Sequence, residues 1–202
     1  IEEKLKFGGN DSFNFDKKEY IKLAKEGYMF PDTYLIAKDA TTTQIVQTLR
    51  TTFDEKTETI LKNNNSTLSL EEVIILASLI EREAKTAQEK PIMAGILLNR
   101  LNTGIALQVD ATVQYARGYD SAKNTWWPLI TQEDYKTVRS NYNTYLNSGL
   151  PPGPISNPGI DSIRASLNPQ ETDYFYYLHD SEGKIHYART IEEHSRNIQD
   201  YL

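Results

Sequence analysis

The chain has 202 residues with 22 basic and 28 acidic side chains, a formal net charge of −6 and a pI of about 5.2. The lack of cysteine excludes a disulfide scaffold, a thiol nucleophile and any thiolate metal or iron–sulfur site. The acidic balance argues against a phosphate backbone as partner, since that needs a basic face, so no nucleic acid is expected.

Residues 1 to 18 are polar, with a Gly8-Gly9-Asn10-Asp11 turn between short β-like runs. Asp16 then precedes a short helix over Lys17 to Lys25, ended by Gly27. Phe30 to Ile36 reads as a turn running into a strand. Thr41 to Lys62 is predicted helical from the spacing of Ile45, Val46, Leu49, Phe53, Ile60 and Leu61, and the polar run Asn63 to Thr67 ends it. Ser69 and Glu72 form a capping box in front of Val73 to Ala84. Pro91 suits the first turn of a helix that runs to about Leu101 and stops at Asn102-Thr103-Gly104. Asp110 is the expected cap of a short helix through Tyr115. Residues 117 to 158 are rich in turn formers, with a short helical piece around Gln132 to Val138. Asp161 to Leu167 reads as a helix. Tyr174 to His179 and Lys184 to Ala188 form a hairpin turning at Asp180 to Gly183, and Thr190 caps a closing helix to Leu202. The fold class is α+β, helix-rich in the middle. No stretch reaches the ~20 apolar residues that span a bilayer. Because the chain begins with Ile1, we expect a piece of a longer protein that has lost an N-terminal segment.

Thirteen tyrosines and two tryptophans in a hydrophilic chain suggest surfaces that stack on sugars. The most informative segment is Leu76-Ala77-Ser78-Leu79-Ile80-Glu81-Arg82-Glu83. At 100° per residue, Val73, Leu76, Ala77, Ile80 and Ala84 share a face and Glu81 falls at its edge. A carboxylate there is expected to be desolvated, with a raised pKa, which suits protonation of a leaving glycosidic oxygen. Glu81 and Glu83 also fit the solvated side of an amphipathic helix. A second cluster joins Asn99-Arg100 to Leu107-Gln108-Val109-Asp110-Ala111-Thr112-Val113-Gln114-Tyr115, whose side chains can bond hydroxyls and acetamides or serve as ordinary caps. A third is Tyr142-Asn143-Thr144-Tyr145 with Gly149-Leu150-Pro151-Pro152-Gly153-Pro154-Ile155-Ser156-Asn157-Pro158-Gly159, stiff enough to bind with little ordering cost or to act as a connector. His179, His186 and His194 lack metal-ligand spacing, so no metal or cofactor is expected.

In this order, and together with Glu26 to Tyr34, these motifs resemble the YceG-like (MltG) family of endolytic murein transglycosylases. The resemblance covers nearly everything from about residue 25 onward. It implies a bacterial membrane protein whose transmembrane helix precedes a LysM-like subdomain and an extracytoplasmic catalytic domain. Residues 1–38 would be the end of the LysM-like part and its connector, and residues 39–202 the catalytic domain. The implied activity is cleavage of the MurNAc-β-1,4-GlcNAc bond within nascent peptidoglycan strands, leaving 1,6-anhydro-MurNAc ends and terminating glycan elongation. The matching position makes Glu81 the catalytic acid. Glu83, Gln108 and Asp110 are candidates for orienting the acetamide or the acid. Ser78, Asn99, Tyr115, Asn143, Thr144, Tyr145, Leu150, Pro151 and Pro152 are candidates for lining the glycan groove. Expected partners are glycan strands, peptidoglycan synthases (penicillin-binding proteins) with the division or elongation machinery, and the membrane through the missing helix. Residues 117–141, with Trp126-Trp127, match the family pattern least. A glycan-binding scaffold with little turnover is an alternative. So is a lysozyme-like hydrolase, which needs a second carboxylate about 5–9.5 Å from the acid.

Overall fold

The protein, described by a computed structural model over residues 15–62 and 66–202, is built of eight helices and one antiparallel strand pair among those residues. The Gly8–Asp11 turn, the β-like runs around it and Asn63 to Asn65 lie outside the described residues. Local chemistry sets most boundaries. Helix α1 (Lys17–Leu23) starts where the Asp16 carboxylate accepts the Lys18 and Glu19 amides at 2.8 and 3.1 Å. Helix α2 (Thr42–Lys62) starts at a reciprocal pair: the Thr41 amide donates to Gln44 Oε1 at 2.8 Å and the Gln44 amide to Thr41 Oγ1 at 3.3 Å. Helix α3 (Leu70–Glu83) carries the expected box, with the Ser69 amide 2.8 Å from Glu72 Oε2 and the Glu72 amide 3.3 Å from Ser69 Oγ. These contacts satisfy amide donors that the first helical turn leaves without partners.

Helix α4 (Lys90–Asn102) begins with Pro91 in its first turn. Then follow α5 (Asp110–Arg117), α6 (Asp134–Thr137), α7 (Ile160–Leu167), β1 (Tyr176–His179), β2 (Ile185–Ala188) and α8 (Ile191–Tyr201). The strands pair antiparallel with Tyr176 opposite Ala188 and His179 opposite Ile185. The Asp180 carboxylate closes their turn by accepting the Glu182 and Lys184 amides. Thr190 caps α8 through the Glu193 amide, and Glu193 returns the contact to the Arg189 amide.

Two local expectations are corrected. Phe30 to Ile36 is not a strand. Pro31 lacks an amide donor, Leu35 is fully exposed, and the Tyr34 hydroxyl bonds back to the Phe30 carbonyl at 2.6 Å. Asp110 does not cap α5. Val109 holds the cap position and Asp110 is the first helical residue, its carboxylate turned to tyrosine hydroxyls.

Helix α3 is the axis of the molecule, packing on α4, α5 and α7. Val73 to Ile80 are all buried. The single apolar face anticipated for α3 becomes burial all round, because two hydrophobic clusters use different sides of it. Val73, Ile74 and Ala77 join Tyr20, Tyr28, Met29, Phe30, Ile45, Leu49 and Phe53. Leu76, Leu79 and Ile80 join Met93, Leu97, Leu107, Val109, Ile155 and Ala165. The Pro-rich loop is fastened to this axis and to the N-terminal segment. Asn157 Oδ1 accepts the Gly27 and Met29 amides at 2.8 and 3.0 Å, and Gly27 takes a φ of +87° with no room for a Cβ against Pro154 and Ile74.

Candidate active site

Glu81 lies in the last turn of α3, half-buried, where α3 meets α4 and α7. Three donors converge on one carboxylate oxygen. The Ser162 hydroxyl on α7 donates to Oε2 at 2.5 Å, the Lys90 ammonium at the start of α4 at 3.1 Å, and the Gly159 amide just before α7 at 3.2 Å. Among the described residues no donor reaches Oε1.

The expected upward pKa shift is corrected by this geometry. Burial is the largest single influence on Glu81 and does push its pKa up. The bonds from Ser162 and Lys90, the Lys90 charge and the Gly159 amide together outweigh it, so Glu81 lies below the ordinary carboxylate value. At rest it is an anchored, ionised carboxylate.

Glu83, two residues on, belongs to a different group. It is partly buried and accepts the Tyr177 hydroxyl of β1 at 2.8 Å. Burial, reinforced by the Asp110 charge, raises its pKa above the ordinary value despite the bonds from Tyr177 and the Ala111 amide. Asp110 is exposed and accepts the Tyr145 hydroxyl at 2.5 Å and the Tyr135 hydroxyl at 3.3 Å. The Tyr135 and Tyr145 rings stack with centroids 4.1 Å apart. A surface pocket of about 410 Å³ lies beside them, lined by Gln132, Tyr135, Lys136, Tyr145 and Leu146. Another, of about 780 Å³, runs along α2 and residues 35–41. Neither is lined by Glu81.

Gln108 is exposed and adopts a φ of +53°, a conformation that costs a non-glycine residue on the order of 1–3 kcal/mol and persists only where neighbours over-determine it. Its amide donates to the Thr144 carbonyl at 3.2 Å and its Oε1 accepts Arg100 Nη2 at 2.7 Å. Arg100 is itself buried and also donates to the carbonyls of Ala106 and Phe175. The Gln108 and Asp110 side chains are thus presented to solvent from a clamped backbone.

Other candidates are structural in their placement. Ser78 has no exposed surface. Its hydroxyl donates to the Ile75 carbonyl at 2.7 Å and accepts the Ile155 amide at 3.0 Å, fastening the Pro-rich loop. Asn143 is fully buried, donating to the Tyr135 and Val138 carbonyls and accepting the Tyr145 amide. Thr144 is also buried and accepts the Val109 amide at 2.9 Å. All three are buried in this structure, with their polar atoms bonded to backbone groups of α3, α5 and the loops around them. Asn99 is partly buried and ties α4 to the Thr172 and Tyr174 carbonyls. Tyr115 packs on Tyr142 with centroids 4.9 Å apart, and burial pushes its hydroxyl up to about 12. Leu150 packs into the α3–α4–α5 cluster, Pro151 is buried and Pro152 exposed.

Lys90, Ser162, Tyr177 and Tyr135 were not singled out by sequence, and Gly159 was marked only as the end of the stiff Pro/Gly loop. Lys90 had one legible signal: a cation in the first turn of a helix opposes the macrodipole, so its presence there asks for an anionic partner. The segment 117–141 gains a clear attachment. Arg82 stacks over Trp127 at 3.6 Å from the ring centroid, and Gln114 donates to the Pro128 carbonyl at 3.0 Å.

Comparison with known proteins agrees with this architecture. The model of the YceG-like family matches residues 2–200. A Bacillus subtilis protein named endolytic murein transglycosylase is 35% identical over 197 residues, 96% of this chain and 51% of that protein. A Streptococcus pneumoniae protein of the same name is 33% identical over 184 residues, 88% of this chain and 32% of that protein. A crystal structure of a putative YceG-like protein from Listeria monocytogenes superposes with a TM-score of 0.74 at 35% identity, covering 84% of this chain and 54% of that one. The chain therefore spans about a third to a half of the length of these relatives. A family match across almost the whole chain, on a fold shared with a solved family member, makes this protein a member of the YceG-like family.

Proposed function

We propose that this chain carries the catalytic part of an endolytic murein transglycosylase, with Glu81 as its acid and base. The observation that carries the reading is the Glu81 carboxylate, anchored through Oε2 by donors from the start of α4 and from α7 with its cap residue Gly159, while no donor among the described residues reaches Oε1. The names of the relatives support the same activity.

In the first step Glu81 gives a proton to the GlcNAc O4 as the MurNAc C1–O4 bond breaks. In the second the Glu81 carboxylate takes the proton of the C6 hydroxyl as O6 bonds to C1 of the same sugar. The proton lost is regained, no water is consumed, and the product ends in 1,6-anhydro-MurNAc. The substrate's own 2-acetamido group can share the charge at C1, as in substrate-assisted glycosidases. The lowered pKa of Glu81 prepares the second step. The first requires the bound glycan to raise its proton affinity, and covering the carboxylate does so by strengthening the desolvation already acting on it. A lysozyme-like hydrolase finds less support, because Glu83, the carboxylate nearest to Glu81 in sequence, is bonded to Tyr177.

The exposed Gln108 and Asp110, the Tyr135–Tyr145 stack and Pro152 are the candidates for contact with the strand. Attachment to a membrane through a preceding segment and work beside peptidoglycan synthases belong to the same proposal. The test is to incubate the protein and Glu81→Gln with uncrosslinked glycan strands and read the ends by mass spectrometry. Anhydro ends are expected from the parent, with a loss of roughly 10²–10⁴-fold in the variant. Reducing ends would make it a hydrolase, and equal turnover by the variant would remove Glu81 from the chemistry.

A further inference from the structure

The two oxygens of Glu81 are not equivalent. Oε2 faces the Lys90 ammonium, the Gly159 amide and the Ser162 hydroxyl. An ammonium and a backbone amide are donors with no accepting lone pair. A proton on Oε2 would point into two groups that cannot receive it, and only Ser162 could turn to accept. On Oε1 no such conflict exists. A Cβ at Gly159 would only reach ordinary van der Waals contact with the carboxylate, 3.7 Å from Oε2 and 4.0 Å from Oε1.

The surroundings single out Lys90 as the cation in this arrangement. Its side chain is 14% exposed, and it stands in the first turn of α4, where the macrodipole disfavours a positive charge. The neighbouring charges are engaged elsewhere. Glu89 is taken up by His179 at 3.1 Å and the Lys85 amide at 2.9 Å, Arg82 lies over Trp127, and Glu83 holds Tyr177. From α7 the group facing Glu81 is the neutral Ser162, and Asp161 and Arg164 pair with each other.

We propose that Lys90, assisted by Ser162, is a positioning residue that holds Glu81 through Oε2, so that the proton exchanged with the glycan is carried on Oε1. This rests on the proposed transglycosylase reading, which it deepens by dividing the labour between the two oxygens and naming the residues that hold one of them. Lys90 bonds Glu81 Oε2 at 3.1 Å, and its proposed role is exerted through that carboxylate.

The experiment is a ¹³C NMR titration of the Glu81 carboxyl carbon, assigned with Glu81→Gln, in the parent, Lys90→Met and Lys90→Arg, each checked for a folded thermal transition. The midpoint is expected to move upward in Lys90→Met and to return toward the parent in Lys90→Arg. The same variants are assayed on uncrosslinked glycan strands across pH. Because the first step needs the protonated acid, the limb of kcat/KM that falls with rising pH is expected to move to higher pH in Lys90→Met and back in Lys90→Arg. A Glu81 midpoint indifferent to Lys90→Met overturns the proposal, as does a pH limb that stays fixed while the midpoint moves. The titration requires no turnover. Unimpaired product formation by Glu81→Gln would sink the transglycosylase reading separately, leaving the titration result legible on its own.

Discussion

A carboxylate at the end of a buried helix can be pushed either way, and Glu81 demonstrates which influence wins. Desolvation alone is the strongest contribution, yet three donors, one from the start of α4 and two from the start of α7, reverse its sign. Ser162 gives the shortest of these bonds, at 2.5 Å. A hydrogen bond to a charged group contributes about 1.5–3 kcal/mol, so Ser162→Ala is expected to destabilise the protein by up to that range at pH 7. The sign of the pH dependence follows from the lowered pKa of Glu81. Its stabilising contribution is present above the unfolded carboxylate value and is lost as pH falls through the lower folded value. The difference between parent and Ser162→Ala should therefore shrink in urea denaturation curves measured at progressively more acid pH. A constant difference would mean that the bond to ionised Glu81 is not what the serine contributes.

Among the elements, α4 illustrates how a close approach fixes a residue type. Gly95 sits where an added Cβ would lie 2.1 Å from the backbone oxygen of Gln170. The Gln170 amide is in turn bonded to the Pro91 carbonyl at 2.9 Å. This contact brings the segment after α7 flat against α4 and leads the chain into the β1–β2 hairpin, which supplies Tyr177 to Glu83 and His179 to Glu89. Alanine normally strengthens a helix by about 1 kcal/mol over glycine. Here the backbone of residue 170 would have to move, and overpacking of this kind costs about 1–3 kcal/mol or more. Gly95→Ala is thus expected to lower stability in chemical denaturation, whereas a gain would show that the segment yields easily. Helix boundaries are the level at which the sequence was most readable. The Ser69–Glu72 box, the Asp16 cap, Pro91 and the Thr190 cap each act within one turn, so a few adjacent residues contain the whole cause. Phe30 to Ile36 was misread because a strand also needs a partner, and nothing in seven residues says whether one is alongside.

For the whole molecule, burial divides the acidic groups into two sets with opposite pH behaviour. Glu81 and Glu89 lie below the ordinary value, held by bonds from Ser162 and Lys90 and from His179 and Lys85 that outweigh desolvation. They favour the folded state above the unfolded carboxylate range and withdraw that support as the pH falls through their own lower values. Glu83 and Glu26 lie above it, chiefly through burial. A raised folded pKa contributes stability below the unfolded value and loses it as pH rises through the folded one. Glu83→Gln keeps an acceptor for Tyr177 while removing the ionisation. It is expected to raise Tm at neutral pH, with the gain fading as the pH is lowered into the carboxylate range. A gain that persists unchanged at acid pH would contradict burial of an ionisable group as its cause. The candidate site shows the same division of legibility. Ordered local motifs in the sequence were enough to indicate the family and to outline nearly every helix, because those features depend on residues within a turn or two of each other. Which oxygen of Glu81 is held, that its pKa falls rather than rises, and that Ser78, Asn143 and Thr144 are buried depend on contacts among α3, α4, α5, α7 and the Pro-rich loop. Some of those contacts join residues about 80 positions apart, as Glu81 and Ser162 are, and electrostatics and burial act through space, so only the tertiary structure could decide them.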